Sequence, residues 1–476
     1  MNPDVVKDTQ SSLYSMRSME SLCHPKSIAL IGASKNKKKI GSTILHYLKD
    51  WQGRLYLVNP QEQEIDGYKV HADVADLPDF VELAIITLEA HKAVEAAKKC
   101  AEKNFQSLII LASGFSESDA DGIRLEQELA QHVLSKGTRI LGPNTLGLFI
   151  PGTGLDTIFV EHGDKMFAHQ GEVAFITQSG SVGVEALGVS GVIGWGLRAF
   201  VGLGNRIDIG ENEVLDYFAH DERTKCIAVY LETFQHGREF VELCSQITPR
   251  KPVVVLKAGR SEIAQTAIAS HTGKMASPVD VFYGAGKQSG IILAGNEEQL
   301  TDYAKVLSCE PPAFDAHVAV VTFAGGYGII TLDLISETDF LKVARLSDET
   351  VSRIKQKTLR FASLNNPIDL TASADHVMMA NTLAALEEDP AVGIIFCIAF
   401  FAPPKIGRGL IDILAEHRRK TKKPLVVYVA YGPFTDEIAY TLYQKGVTTF
   451  TSLSRAVRAM DALAQRGQYL KRSGVV

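Results

Sequence analysis

One histidine, His271, stands among small residues in the segment IASHTGKMA, residues 268–276. Hydroxyl-bearing residues and a glycine surround it, so the imidazole has space for a ligand. No second His, Cys or Asp follows at the short spacing of zinc ligands, which disfavours a metal site. Neutral imidazole is a nucleophile near neutral pH. The segment therefore suits a reactive histidine, and the alternative is a loop histidine whose hydrogen bonds are satisfied locally.

A glycine-containing turn follows the predicted strand SIALIGAS and leads into a helix near Gly41. Gly32 permits a tight turn, and backbone N–H groups at the start of the helix can face a phosphate. The second glycine comes nine residues after the first, so the GxGxxG pattern is absent. The second strand ends in Asn59 and Pro60, where an NAD site would have an acidic residue. A nicotinamide-dependent dehydrogenase is therefore disfavoured.

Positive charge and a second polar loop add to this turn. Four lysines crowd it: Lys35, Lys37, Lys38 and Lys39. They suit a multiply phosphorylated ligand or, equally, form a solvated charge run. In the loop GPNTLGLF, residues 142–149, the amide of Asn144 can both donate and accept hydrogen bonds. Turn chemistry alone is the alternative explanation of this loop.

Composition excludes several classes of function. The 476 residues are 46% hydrophobic and 22% charged, which is ordinary for a globular protein. The net charge of −6 disfavours nucleic acid as a partner. We find neither an apolar run long enough to span a bilayer nor a signal peptide, and we expect a cytoplasmic protein with no membrane partner. Six scattered cysteines without CxxC spacing predict reduced, buried thiols.

Short β-branched runs alternate with amphipathic segments along almost the whole chain. This alternation predicts an α/β protein of βαβ units in doubly wound parallel sheets. A block beginning at GEVAFITQSGSVGVEAL aligns with one beginning at AHVAVVTFAGGYGIITLDL, and three further segments match in order. We infer an internal duplication, with coincidence of two generic domains as the alternative. The expected organisation is an N-terminal tail (1–20) and three domains, 21–147, 148–309 and 317–476.

Taken in order, the motifs resemble the alpha part of the ADP-forming acyl-CoA synthetases, relatives of the succinyl-CoA synthetase alpha subunit. Among the segments that carry the resemblance are IGAS…IGSTIL, GPNTLG, FITQSGSVG, GLGNRIDI, VYLETF and KAGRSE…ASHTGKMA. They extend over nearly everything after residue 20. The resemblance implies three doubly wound domains, namely a Rossmann-like CoA-binding domain followed by two flavodoxin-like domains.

The resemblance also implies roles for individual residues. His271 becomes phosphorylated, and Glu232, after the YLE strand, steadies its imidazole. The helix that begins at QSGSVG directs its N-terminus at the phosphate through Ser179, Gly180 and Ser181. The implied CoA-binding residues are Gly32, Ala33, Ser34, Lys39, Gly41, Asn59, Pro60, Thr87 and Asn144. No metal site is implied in this chain.

The implied activity is that of an acid–thiol ligase. It converts acyl-CoA, ADP and phosphate reversibly into the acid, CoA and ATP through an acyl phosphate and a phosphohistidine. We find no ATP-grasp pattern, so ATP/ADP and Mg²⁺ are expected on a separate ATP-grasp beta subunit, in an oligomer that acts on a small carboxylic acid or its acyl-CoA. The alternative is a non-catalytic CoA-binding regulator or scaffold of the same fold.

Overall fold

The computed structural model describes residues 19–160, 170–193, 195–272 and 279–475. The chain divides into two compact units. The first comprises Met1–Gly188, Gly196–Ile247 and Val255–Ser289, and the second comprises Val189–Trp195, Thr248–Val254 and Gly290–Val476. None of the described helices combines the length and the apolar composition of a membrane span.

The first sheet has seven strands. They are β1 (Ser27–Ile31), β2 (Arg54–Val58), β3 (Glu64–Ile65), β4 (Tyr68–His71), β5 (Leu83–Ile86), β6 (Ser107–Ile110) and β7 (Arg139–Leu141). The helices between them are α1 (Ile40–Tyr47), α2 (Ala90–Glu102) and α3 (Ala120–Val133). Short 3₁₀ turns cover Leu48–Asp50, Val74–Asp76 and Leu134–Lys136.

Strand order in this sheet is β3-β4-β2-β1-β5-β6-β7. Apart from the short β3, which pairs antiparallel with β4, this is the Rossmann order. The strands β1, β5 and β6 are apolar and buried almost throughout, as strands covered by helices on both faces must be. The strands β2 and β4 lie on one side of β1, and the later strands β5, β6 and β7 lie on the other side. A crevice therefore opens at the carboxyl ends of β1 and β5, where the strand order reverses.

The second sheet also has seven strands. They are β8 (Leu148–Ile150), β9 (Leu155–Asp156), β10 (Gln170–Thr177), β11 (Leu197–Gly202), β12 (Cys226–Leu231), β13 (Val253–Lys257) and β14 (Ile292–Leu293). The associated helices are α4 (Gly180–Ile193), α5 (Glu211–His220), α6 (Gly237–Ile247), α7 (Glu262–Thr272) and α8 (Val279–Gln288). The order is β14-β13-β12-β10-β11-β8-β9, and here the direction reverses at β10, between β11 and β12.

The third sheet has six strands. They are β15 (His317–Thr322), β16 (Lys342–Val343), β17 (Ile368–Asp369), β18 (Ile394–Phe400), β19 (Leu425–Ala430) and β20 (Thr448–Phe450). Its order is β16-β15-β18-β19-β20, with β17 paired to β15. The helices of this part are α9 (Glu297–Cys309), α10 (Gly325–Ser336), α11 (Asp348–Lys357), α12 (His376–Glu388), α13 (Gly409–Lys420), α14 (Thr435–Gln444) and α15 (Leu453–Arg472). A 3₁₀ turn covers Gly432–Phe434.

The second and third sheets share one strand order. Numbered from β10 and from β15, the main parallel strands of each follow the order 2-1-3-4-5 of flavodoxin-like folds. The likeness extends to single atoms, because Thr177 and Thr322 each end the first strand and each close the next turn. The Thr177 hydroxyl donates to the Ser179 carbonyl at 2.8 Å, and the Thr322 hydroxyl donates to the Ala324 carbonyl at 3.1 Å. The predicted fold class, α/β with three doubly wound sheets, is confirmed.

All six cysteines are free thiols, and five of them are buried. Burial raises the pKa of the Cys397 thiol to about 12 and raises the pKa values of Cys23, Cys100 and Cys244 well above the ordinary range. These thiols pack as small apolar groups and are poor nucleophiles at neutral pH.

Candidate active site

The crevice of the first sheet brings five predicted CoA-binding residues together. Gly32, with a φ of +93°, follows β1, and the Thr87 hydroxyl donates to the Ile31 and Gly32 carbonyls at 3.0 and 3.2 Å. A Cβ on Gly41 would lie 2.0 Å from the Gly32 carbonyl oxygen, so α1 passes against this turn only because residue 41 has no side chain. The amide of Asn59, after β2, donates to the Ala33 carbonyl at 2.7 Å.

The other predicted residues of this crevice differ in their exposure to solvent. Ser34 is buried, and its hydroxyl accepts from the Asn36 N–H at 3.1 Å within the turn. Lys39 immediately precedes α1 and is exposed, as is Pro60. Lys35 forms an ion pair with Glu62 at 3.1 Å. The turn thus leaves exposed cations around backbone N–H groups at the start of a helix, which suits a phosphate ligand.

Asn144 lies on the loop after β7, at the same edge of the sheet. It is exposed, its φ is +56°, and its backbone N–H donates to the Ala112 carbonyl at 2.8 Å. In the strand order β7 lies two strands beyond β5, so Asn144 lies along this edge at a distance from the crevice between β1 and β5.

The predicted phosphate turn lies at the reversal point of the second sheet. After β10, the Ser179 N–H donates to the Thr177 hydroxyl at 3.1 Å, and the hydroxyls of Ser179 and Ser181 lie 3.2 Å apart. Gly180 and Ser181 are exposed at the start of α4, and a Cβ on Gly180 would meet nothing within 4 Å. The helix therefore presents unpaired N–H groups and its positive dipole end to open space, which favours an anion.

Glu232 lies on the other side of the same reversal point, directly after β12. It is 8% exposed. Its backbone N–H donates at 2.9 Å to the side-chain oxygen of Gln178, the residue before the phosphate turn. Burial, with a lesser contribution from the charge and hydrogen bond of Glu232, raises the pKa of the neighbouring Tyr230 to about 12. Glu232 and the phosphate turn are thus held together by one amide side chain.

A buried lysine that the sequence did not single out lies beneath Glu232. Lys257 ends β13 and is fully buried, and its ammonium donates to the carbonyls of Glu232 and Ala258 at 2.6 and 2.5 Å. Burial lowers the pKa of Lys257 to about 8, although the nearby charge of Glu232 opposes this shift. The side chain of Lys257 is therefore mostly protonated at neutral pH and loses its charge as the pH rises through 8.

His271 is the penultimate residue of α7, the helix that follows β13. Its side chain lies outside the described part of the structure, as do residues 273–276 of the same motif. Because α7 comes after β13, it begins at the carboxyl end of that strand, the edge of the second sheet at which Glu232 and Ser179 also lie.

Arg206, which follows β11 in the second sheet, supports the site although its role was not predicted. The guanidinium of Arg206 is buried and donates to the Glu211 carboxylate at 2.7 Å and to the carbonyl and hydroxyl of Thr233 at 2.9 and 2.6 Å. This fixes the residue next to Glu232. In the sequence, only the motif GLGNRIDI pointed to Arg206. In the structure Arg206 has a φ of +58°, which residues with a long side chain rarely adopt.

Comparison with known proteins finds two families that match parts of the chain. Residues 26–151 match the family described as CoA binding domain, and residues 170–307 match the succinyl-CoA ligase like flavodoxin domain. The chain is 32% identical over 452 residues to the acetate–CoA ligase [ADP-forming] II subunit alpha of Pyrococcus furiosus, and covers 97% of that protein.

The chain belongs to the alpha subunits of the ADP-forming acyl-CoA ligases. A solved structure of the dinucleotide-forming acetyl-coenzyme A synthetase 1 of Ca. Korarchaeum cryptofilum, in complex with phosphate and ADP, superposes with a TM-score of 0.88 at 32% identity. The match covers 96% of this chain and 98% of that one. The predicted family and its class of activity, formation of an acyl-CoA thioester coupled to ATP and ADP, are confirmed.

Some members of the family are longer. The chain is 32% identical to the acetate–CoA ligase [ADP-forming] I of Archaeoglobus fulgidus over 453 residues, which is 95% of this chain and 64% of that protein. Relatives named as alpha subunits have about the length of this chain, and that name implies a further subunit. Among the described residues, no group of three His, Cys, Asp or Glu is placed to hold a metal ion.

Proposed function

We propose that this alpha subunit carries the phosphoryl group on His271 between an acyl phosphate and the nucleotide. The observation that supports this most is the reversal point of the second sheet. There an open helix N-terminus at Gly180 and a buried Glu232 are joined through Gln178. A phosphohistidine needs donors for the phosphoryl oxygens and a carboxylate for the imidazolium, and these two elements provide both.

The proposed reaction has three reversible steps. A phosphate oxygen attacks the thioester carbonyl carbon of acyl-CoA, the C–S bond breaks, and the thiolate leaves as CoA after taking up a proton. A ring nitrogen of His271 then attacks the phosphorus of the acyl phosphate, and the P–O bond to the acyl group breaks to release the carboxylate. Finally, an oxygen of ADP attacks the phosphorus, the P–N bond breaks, and ATP forms.

Each part of the chain has a stated role in this scheme. The carboxylate of Glu232 accepts the N–H of the imidazole and stabilises its positive charge during the transfer. Ser179, Gly180 and Ser181 bind the phosphoryl oxygens through the N–H groups of Gly180 and Ser181 and the hydroxyl of Ser179. The crevice at Gly32, Ala33, Ser34, Lys39, Gly41, Asn59, Pro60 and Thr87 binds CoA, with Asn144 at the adjoining edge.

We further propose a separate ATP-grasp partner subunit that binds ADP or ATP with Mg²⁺. Phosphoryl transfer depends chiefly on positioning and charge neutralisation, which Mg²⁺ supplies on the nucleotide. The substrate is a small carboxylic acid or its acyl-CoA. The relative lengths of alpha-subunit and single-chain family members support this division of labour.

Labelling with ³²P tests the proposal in two arms. The alpha subunit alone is incubated with labelled acetyl phosphate, and the complex with its partner is incubated with γ-labelled ATP. We expect an acid-labile, base-stable label in both arms that His271→Ala abolishes, whereas His91→Ala, at an exposed ion pair with Asp121, retains it. Equal labelling of the His271→Ala protein would overturn the proposal by assigning the phosphoryl group to another residue. No label in either arm would overturn it in favour of a non-catalytic CoA-binding protein.

A further inference from the structure

Three loops of the first unit meet at the side chain of one asparagine, Asn205. Its amide nitrogen donates to the carboxylates of Glu117 and Glu126 at 2.6 and 2.9 Å and lies 3.3 Å from the hydroxyl of Ser116. These three residues follow β6 or belong to α3 in the first sheet, whereas Asn205 follows β11 in the second. Asn205 therefore connects the CoA-binding part of the chain with the part that carries the phosphate turn.

The same side chain also contacts the predicted CoA-binding loop after β7. The amide nitrogen of Asn144 donates to the side-chain oxygen of Asn205 at 3.3 Å. In the backbone, the Asn205 N–H donates to the carbonyl of Pro143 at 2.8 Å. Asn205 thus binds the loop of Asn144 through its main chain and orients the amide of Asn144 through its side chain.

The chemistry of this position requires an amide. Each carboxylate is also held by a second hydrogen bond. Glu117 accepts from the Gly114 N–H at 2.6 Å, and Glu126 accepts from the Ser116 hydroxyl at 2.7 Å. Only a side chain with two N–H bonds and one acceptor can satisfy both carboxylates and Asn144 together. An aspartate would place a third carboxylate against two others, and an alanine would leave both without this donor.

We propose that Asn205 is a positioning residue for the acyl-CoA half of the reaction. It holds the exposed amide of Asn144 at the junction of the two sheets, where an acyl thioester bound in the first sheet must meet a phosphate bound at the second. The remaining hydrogen-bonding groups of Asn144 then face the thioester ligand in a fixed orientation. This inference rests on the proposed function, because it assigns Asn144 to the CoA ligand.

The test separates the two halves of the reaction in the complex with the partner subunit. The first assay measures CoA release from acetyl-CoA and phosphate, and the second measures labelling of His271 from γ-labelled ATP, which needs no acyl-CoA. For Asn205→Ala we expect kcat of the first assay to fall on the order of 100-fold, the loss that misplacement of a reacting group causes. Labelling of His271 from ATP is expected to keep its wild-type rate.

Asn205→Asp adds a pH readout that a purely structural role would not produce. At pH 8 its carboxylate repels Glu117 and Glu126, and we expect the same loss of CoA release as in Asn205→Ala. At pH 5.5 the crowded carboxyl group is protonated more readily and regains one O–H donor, so the rate relative to wild type recovers in part, whereas Asn205→Ala shows no recovery.

The outcomes distinguish this inference from the proposed function. Wild-type CoA release in both variants would overturn the positioning role, as would a parallel loss in both assays with a lowered melting temperature. Absence of His271 labelling in the wild-type complex would instead overturn the proposed function itself.

Discussion

The ammonium of Lys257 donates a 2.6 Å hydrogen bond to the backbone carbonyl of Glu232. Gln178 holds the backbone N–H of the same residue from the other side at 2.9 Å. The peptide groups on both sides of the Glu232 Cα are therefore fixed by side chains from two neighbouring strand ends. A carboxylate that must meet an imidazole benefits from this, because its position is set before any ligand arrives.

Replacement of Lys257 tests whether its charge matters. Because the pKa of Lys257 is lowered to about 8, its cation is lost as the pH rises through 8. We expect the rate of His271 labelling to decline above pH 8 in the wild type. In Lys257→Arg, which stays charged, the decline should move to higher pH, although the longer guanidinium lowers the maximal rate.

Lys257→Met is the matched uncharged variant. It should label slowly at every pH and lack the decline above pH 8, because no group titrates at this position. Labelling of His271 is followed between pH 6 and 10. If the three proteins share one pH profile, Lys257 has no electrostatic role at the site.

Gly41→Ala tests the close approach in the CoA crevice. The added Cβ would lie 2.0 Å from the Gly32 carbonyl oxygen, so α1 or the turn must move. We expect a loss of about 1–3 kcal/mol in stability, typical of overpacking. CoA affinity, measured by isothermal titration calorimetry, should fall at least tenfold, because the phosphate-facing turn is displaced.

Gly284→Ala is the control for this substitution. Gly284 also lies in a helix, and a Cβ there would meet nothing within 4 Å. Alanine is the better helix former by roughly 1 kcal/mol, so this variant should be as stable as the wild type or more stable and should bind CoA normally. Equal effects of the two substitutions would show that the contact between α1 and the turn is not tight.

The sequence located the strand ends at which the site lies, and it did so for a physical reason. Residues such as Ser179 and Glu232 directly follow buried apolar runs, and parallel strands place their carboxyl ends at one edge. The pattern therefore predicts that such residues converge before any contact is known. The individual roles of Ser179 and Glu232 remain predictions.

Contacts between loops were not predictable in the same way. Lys257 appears as the last residue of an apolar run, and nothing in the run indicates that its ammonium turns back towards Glu232. Likewise, the apolar positions of α9 predict a buried face but do not indicate which element packs against it. In the structure α9 belongs to the second unit, where Asp302 contacts Arg455 of α15.

Asp302 and Arg455 provide a test of this packing. Two nitrogens of the Arg455 guanidinium each donate to Asp302 at 2.7 Å, and Asp302 is 2% exposed. Arg455→Met leaves a buried carboxylate without its cation, so we expect a loss of about 3–5 kcal/mol in unfolding free energy. The double variant with Asp302→Leu should lose much less, because the unpaired charge is gone.

An exposed pair is the control for that experiment. Arg353 pairs with Glu388 on the surface of the same unit, with both side chains largely accessible to solvent. Arg353→Met should leave the urea unfolding midpoint unchanged. Additive losses in the Asp302 and Arg455 variants would contradict a coupled buried pair.

Glu310 makes the stability of the second unit depend on pH. Its carboxylate is buried and accepts from the Thr448 hydroxyl at 2.5 Å and from the Leu425 N–H at 3.0 Å. Burial outweighs the attraction of Arg418 and raises the pKa of Glu310 from 4.5 to about 7. Between these two values the folded chain binds a proton that the unfolded chain releases, so stability falls as the pH rises from 4.5 to 7.

Glu310→Gln keeps the size of the side chain and removes its titration. We therefore expect the wild type to lose up to about 3 kcal/mol relative to this variant between pH 4.5 and 7, and little more above pH 7. Urea unfolding at half-unit pH steps measures the difference, so that all other titrating groups cancel. A constant difference across this range would mean that the Glu310 carboxyl has an ordinary pKa in the folded chain, and that Arg418 compensates its burial.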